Sequence, residues 1–223
     1  MPYYCTPDDV RHITDLSDDD LSDNSLWNLI KDLTAQINRD ISVEVIEETI
    51  DYIDASRENK IDGSNTVFYT KSSYDFYLGD RNNDGELTVA DVVVYQYDSN
   101  NDKTELTVSA IDEIGKVTLS SAPASSCDLK ISYTYTPYSV ATPHGLVKNA
   151  MMYLVAAYAY GKVDPANVKS ITLGDLKVVQ DAGGATRGLI MQYESIIDQI
   201  TYRTALIGRK PFKYRFSLDF EDL

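Results

Sequence analysis

The sequence predicts an α+β protein: a helical bundle built from the two ends of the chain, an inserted antiparallel β-domain and a small β-hairpin. Three observations predict it. Apolar residues recur at helical spacing near the start of the chain and again after Thr142. Between these blocks, β-branched and aromatic runs alternate with Asp, Asn and Gly turns. Hydrophobic residues make up 43% of the 223 residues, enough to bury a sizeable core. The expected units are a helical core over 1–60 and 138–208, with its hairpin at 170–180, a β-domain over 61–137 and an extended arm over 209–223. Such an insertion is tolerated because domain termini often lie close together.

In the first block Thr6 caps a short helix, with Asp8 and Asp9 in its positively polarised first turn. Asp23 is the expected cap of the next helix. Its stripe runs Leu26, Leu29, Ile30, Leu33, Ile37 and Ile41, then Val45, Ile46, Ile50 and Ile53. One helix through all of it would be about 50 Å long, with Ile41-Ser42-Val43 as a weak place where it could bend. Trp27 is a core anchor on that stripe.

The second block reads as strands over Thr66–Thr70, Tyr74–Leu78, Val92–Tyr97, Thr104–Ile111, Lys116–Leu119 and Leu129–Tyr135. Leu129, Ile131, Tyr133 and Tyr135 alternate with polar residues, so one face is buried. Short strands with tight turns point to a small antiparallel sheet or barrel. In the third block Thr142-Pro143 opens a helix that Gly161 closes. It is apolar nearly all round and should be the most buried helix. A hairpin turning at Gly174-Asp175 follows, then a final helix over Ala185–Leu206 that Gly208 ends.

Charge and composition exclude several functions. Asp plus Glu number 35 against 20 Lys plus Arg, for a net charge of −15. That argues against a surface that grips nucleic acid, which needs clustered cations. The run from Ala150 to Tyr160 is shorter than the roughly 20 residues a bilayer span needs. Two cysteines, Cys5 and Cys127, give no disulfide framework or four-thiolate zinc site. A soluble, non-enzymatic protein of a reducing compartment is expected. His12 and His144 lie in no nucleophile pattern, and Gly183-Gly184-Ala185-Thr186 lacks the ending of a phosphate loop. The seventeen tyrosines are expected mostly in the core, with hydroxyls at its edge.

One motif has sharp spacing. Asp80, Asn82, Asp84, Thr88 and Asp91 place oxygens at positions one, three, five, nine and twelve of a loop. Gly85 stands at position six, and Glu86 would offer its backbone carbonyl at seven. Ca²⁺ wants several hard oxygens, and the glycine permits the turn that converges them. The stretch from Gly79 to Asp91 resembles the calcium loop of dockerin repeats, although only one such loop is present and strand follows it. Bound calcium would be structural. The same residues also suit an Asp/Asn/Gly turn that needs no metal.

The chain closes on Arg209, Lys210, Phe212, Lys213, Tyr214, Arg215 and Phe216, a basic and aromatic segment in an acidic protein. Its alternation suits strand addition or docking into a partner's groove, and equally a last strand packed on its own chain.

The order of segments resembles the head–tail connector (adaptor) proteins of tailed viruses. It is carried by Tyr4-Cys5-Thr6-Pro7-Asp8-Asp9-Val10, the break at Ile61-Asp62-Gly63, Leu154-Val155-Ala156-Ala157-Tyr158, and the hairpin from Ser170 to Val178. The resemblance implies a dodecameric ring of this chain in the virion neck, assembled from the host cytoplasm. Its partners would be the portal protein above and a neck or tail-completion protein below. The genome would pass through without specific binding, and the 209–216 arm would engage the portal or a neighbouring subunit. The other reading is a calcium-stabilised, β-rich receptor- or glycan-binding module on a helical base.

Overall fold

A computed structural model describes residues 3–50, 53–163 and 184–206. The described residues form four α-helices and two antiparallel sheets, an α+β fold. The 170–180 hairpin and the 209–223 arm lie outside the described residues.

Helix α1 (Pro7–Thr14) opens as expected. Thr6 accepts the Asp9 N–H, the Asp9 carboxylate accepts the Thr6 N–H, and Pro7 fills the first position. The Arg11 guanidinium then ties the following loop together. It donates to the Leu16 and Leu21 carbonyls, each at 2.8 Å, and pairs with Asp18 and Asp23. Helix α2 (Asp23–Ile41) is capped by Ser22 and not by Asp23, which is its first residue. Its buried stripe ends at Ile41.

There the sequence expectation fails. The helix does not continue through Val45 and Ile50, because Ser42 is extended and Val43–Thr49 is strand β1. Val43, Val45 and Ile46 are β-branched, and pairing with a distant strand outweighs the local helical spacing. The break falls at the weak point Ile41-Ser42-Val43. The sheet region thus begins at residue 43, well before 61.

The remaining strands are β2 (Val67–Tyr69), β3 (Tyr77–Leu78), β4 (Val93–Tyr97), β5 (Lys103–Leu106), β6 (Val108–Ile111), β7 (Lys116–Leu119) and β8 (Asp128–Thr136). Tyr74 belongs to a 3₁₀ turn over Lys71–Tyr74, so the strand expected from Tyr74 shrinks to β3. The run expected over Thr104–Ile111 divides into β5 and β6, which join different sheets. One sheet has the order β1-β8-β4-β5, with β3 also on β8; the other is β2-β7-β6. No barrel closes among the described strands. The sheets share one core, where Phe68, Val117 and Leu119 join Leu129, Ile131 and Tyr133. The alternation read along β8 therefore holds. Its other face is covered from Ser132 onward, where Ser132, Thr134 and Thr136 are buried with Gly79 close against Thr134, and is open before that, at Asp128 and Lys130.

Helix α3 (Gly145–Val163) contacts α1, α2 and α4 (Gly184–Leu206) and forms the middle of a second core. It starts three residues after Thr142 and runs past Gly161. Its first turn is capped by His144, whose Nδ1 accepts the Leu146 N–H at 3.1 Å while the ring stacks on Tyr138.

Candidate functional site

The acidic loop after β3 is the one predicted site that the described residues contain in full. It is built on turns that the sequence dictates. Asn83 and Gly85 both take positive φ, 61° and 84°, which Asn and Gly tolerate best. Asn82 accepts the Asp84 N–H, and Asp84 accepts the Glu86 N–H, two successive side-chain-to-backbone turns.

The two end carboxylates are the buried ones. Asp80 is 2% exposed and Asp91 is fully buried. Asp80 accepts the Asp84 N–H at 3.2 Å on one oxygen and the Gly85 N–H at 2.7 Å on the other. Asp91 accepts from Arg81 and Asn82 on Oδ1, at 2.8 and 3.1 Å, and from the Thr88 N–H on Oδ2 at 2.7 Å. Thr88 returns the bond as the cap of a 3₁₀ turn over Val89–Asp91. Burial holds the Asp80 carboxyl above its usual range. Asp91 and Asp84 add to the shift, while N–H donors from Gly85 and Asn38 oppose it.

Asn38 is the residue that sequence reasoning missed. It lies on α2, 4% exposed. Its Nδ2 donates to Asp80 Oδ2 at 3.1 Å, to the Asp80 carbonyl at 3.4 Å and to Asn83 Oδ1 at 3.0 Å. Its Oδ1 accepts from the Tyr4 hydroxyl at 2.5 Å. The available signal was an amide one residue after Ile37 on a stripe otherwise filled by Leu, Ile and Thr. A buried amide needs partners, and local spacing cannot say where they are.

The predicted ligands thus separate. Asp80 and Asp91 face inward onto N–H groups, whereas Asn82, Asp84 and Glu86 are exposed. The donor set as placed does not match the convergent oxygens that calcium requires. Among the described residues no group of three or more His, Cys, Asp or Glu side chains could hold a metal ion. A further acidic stretch, Asp98–Asp102, forms a turn in which Asp98 accepts the Asn100 and Asp102 N–H groups.

Several tyrosines sit at core edges. The hydroxyls of Tyr133, Tyr160 and Tyr193 donate to Glu48, to the Thr14 carbonyl and to Asp40. On the open sheet face the Lys103 ammonium lies 3.7 Å from the Tyr95 ring centre and 2.5 Å from Glu47, while Lys130 covers Tyr97. Those rings are already occupied by lysines. The arm residues Arg209, Lys210, Phe212, Lys213, Tyr214, Arg215 and Phe216 lie outside the described residues. No described helix is long and apolar enough to cross a membrane. No protein-family model matches the chain, and no curated protein matches it either.

Proposed function

We propose that this chain is a structural virion protein, a head–tail adaptor that forms a ring under the portal and joins the capsid to the neck or tail. One observation supports this above the others. Helices α1 and α2 from the start of the chain and α4 from its later part enclose α3. Two of these helices hold segments that carry the adaptor resemblance: Thr6–Val10 opens α1, and Leu154–Tyr158 is buried in the middle of α3.

The chemistry asked of such a protein is modest. It must hold copies of itself and two neighbours, and it must let DNA move. A net charge of −15 favours the second task, because a wall of carboxylates repels phosphate and gives the duplex nowhere to stick. The basic, aromatic 209–216 segment serves the first task as the arm that engages the portal or a neighbouring subunit. The next neck or tail-completion protein would dock on the opposite side of the ring.

Deleting the gene tests the reading. Electron microscopy should show filled or leaking heads beside separate, complete tails, and normally assembled particles would refute it. Removing Arg209–Leu223 should abolish binding to the portal protein while the thermal melt stays unchanged. Undiminished binding would overturn the role of the arm.

A further inference from the structure

We infer that the 80–91 loop is a metal-free joint, in which the amide of Asn38, together with backbone N–H groups, does the holding that a cation would do in a calcium loop of this spacing. The inference does not rest on the adaptor reading.

Each conspicuous residue of the loop has a task that involves no metal. Asp80 at the first position and Gly85 at the sixth are joined by the Gly85 N–H to Asp80 bond. That bond alone would suit either a calcium loop or a bare turn. Asp91 at the twelfth position decides the matter. A calcium ligand there must offer its lone pairs to the loop interior. Both Asp91 oxygens instead receive N–H groups: Arg81 and Asn82 on one, Thr88 on the other. Two N–H groups use both lone pairs of Oδ1 and one uses a lone pair of Oδ2, so Asp91 has no second oxygen free to chelate a cation in the two-oxygen mode of a twelfth-position ligand. The Thr88-to-Asp91 spacing is that of a capping box, which accounts for the ninth and twelfth positions together. Asn82 and Asp84 are paired with each other, Nδ2 to Oδ2 at 2.9 Å.

The remaining need is to satisfy the hydrogen-bonding groups of Asp80, which is buried. Asn38 meets it from another element. The same amide bonds Asp80 through both its carboxylate and its carbonyl, and also bonds Asn83, while accepting from Tyr4. The chain Tyr4–Asn38–Asp80 therefore runs from the first described residues, through α2, into the sheet region. Because it is buried and each member has a partner, it fixes the sheet region against the helices in one orientation.

The test uses the purified full chain. Thermal melts in millimolar CaCl₂ and in millimolar EDTA should coincide within about 1 °C, and calorimetric titration with CaCl₂ should show no saturable heat. A calcium-dependent rise of several degrees, or a saturable binding heat, would overturn the inference. Asn38→Ala should lower Tm by about 5 °C or more and speed hydrogen exchange at the Asp84 and Gly85 amides at least tenfold. Unchanged melting and exchange would overturn it, as would restoration of the variant by calcium. If Asn38→Ala does not fold, Asn83→Gly removes one exposed partner of the same amide while keeping the positive φ of 61° accessible. It should give the same exchange signature at smaller amplitude, and its absence would count against the joint.

Discussion

Thr6–Asp9 and Thr88–Asp91 make the same reciprocal pair of hydrogen bonds, yet the first opens an eight-residue helix and the second a three-residue 3₁₀ turn. The residues downstream account for the difference. After Asp9 the chain offers Val10 and Thr14, one helical turn apart and both buried against the helical core. After Asp91 it offers Val92-Val93-Val94-Tyr95, three β-branched residues and an aromatic one, of which Val93 onward pair with β8 and Val94 onward with β5. The surroundings differ as well. The Asp9 carboxylate serves its own helix and pairs with Lys148 at 2.8 Å near the surface. Asp91 is fully buried and also holds N–H groups nine and ten residues earlier in the chain. A capping box marks where a segment starts, and burial decides how much else leans on it.

The comparison sharpens most under removal of the carboxylates. Asp91→Ala should cost about 3 kcal/mol in urea unfolding, because several N–H groups lose their acceptor away from water. Asp9→Ala should cost about 1 kcal/mol, the ordinary worth of a helix cap. Equal losses would mean that the two boxes do the same job. A smaller contrast of opposite sense is expected at the threonines. Thr6→Ala should cost about 1 kcal/mol, and Thr88→Ala about half of that, since Asp91 keeps the Thr88 N–H. A Thr88 loss larger than the Thr6 loss would reverse the ranking.

The smallest effect is in pH. Partial burial pushes the Asp9 carboxyl up, but hydrogen bonds from Lys148 and Thr6 outweigh it and hold the group below its usual range. Its stabilising contribution is therefore present above the ordinary aspartate value, about 3.9, and is lost as pH falls through the folded-state value. Asp80 is shifted upward, chiefly by burial. Between the ordinary value and the raised one, the folded chain keeps a proton that the unfolded chain has released. Stability from Asp80 therefore falls as pH rises through that window. Carboxyl carbon shifts followed by NMR should place the Asp9 midpoint below that of Asp80, and coincident midpoints would contradict both assignments.

Much of the fold was legible along the chain. The Thr6 cap, the α2 stripe to Ile41, the alternation along β8 and the apolar all-round α3 each carry their signal within a few residues. Residues 43–50 were not legible in the same way. Their apolar positions continue the α2 period, and the partner that makes them strand is β8, 85 residues away at the Glu47–Ser132 contact. The loop was half legible. Its spacing announces a turn of converging side chains, but spacing carries no information about which way Asp91 points. That direction is set by the Arg81, Asn82 and Thr88 N–H groups folded around it.

The pairing of β1 with β8 has a geometric consequence. Val43 stands opposite Tyr135, so the chain leaves the helices and comes back to them at points about 5 Å apart. A linker of two or three residues could bridge that gap. Everything between the two crossings could be lengthened, trimmed or exchanged for another cassette without moving the ends of α2. The constraint would fall on Asn38: any replacement would have to present it with new acceptors, or leave a polar amide stranded in the interior.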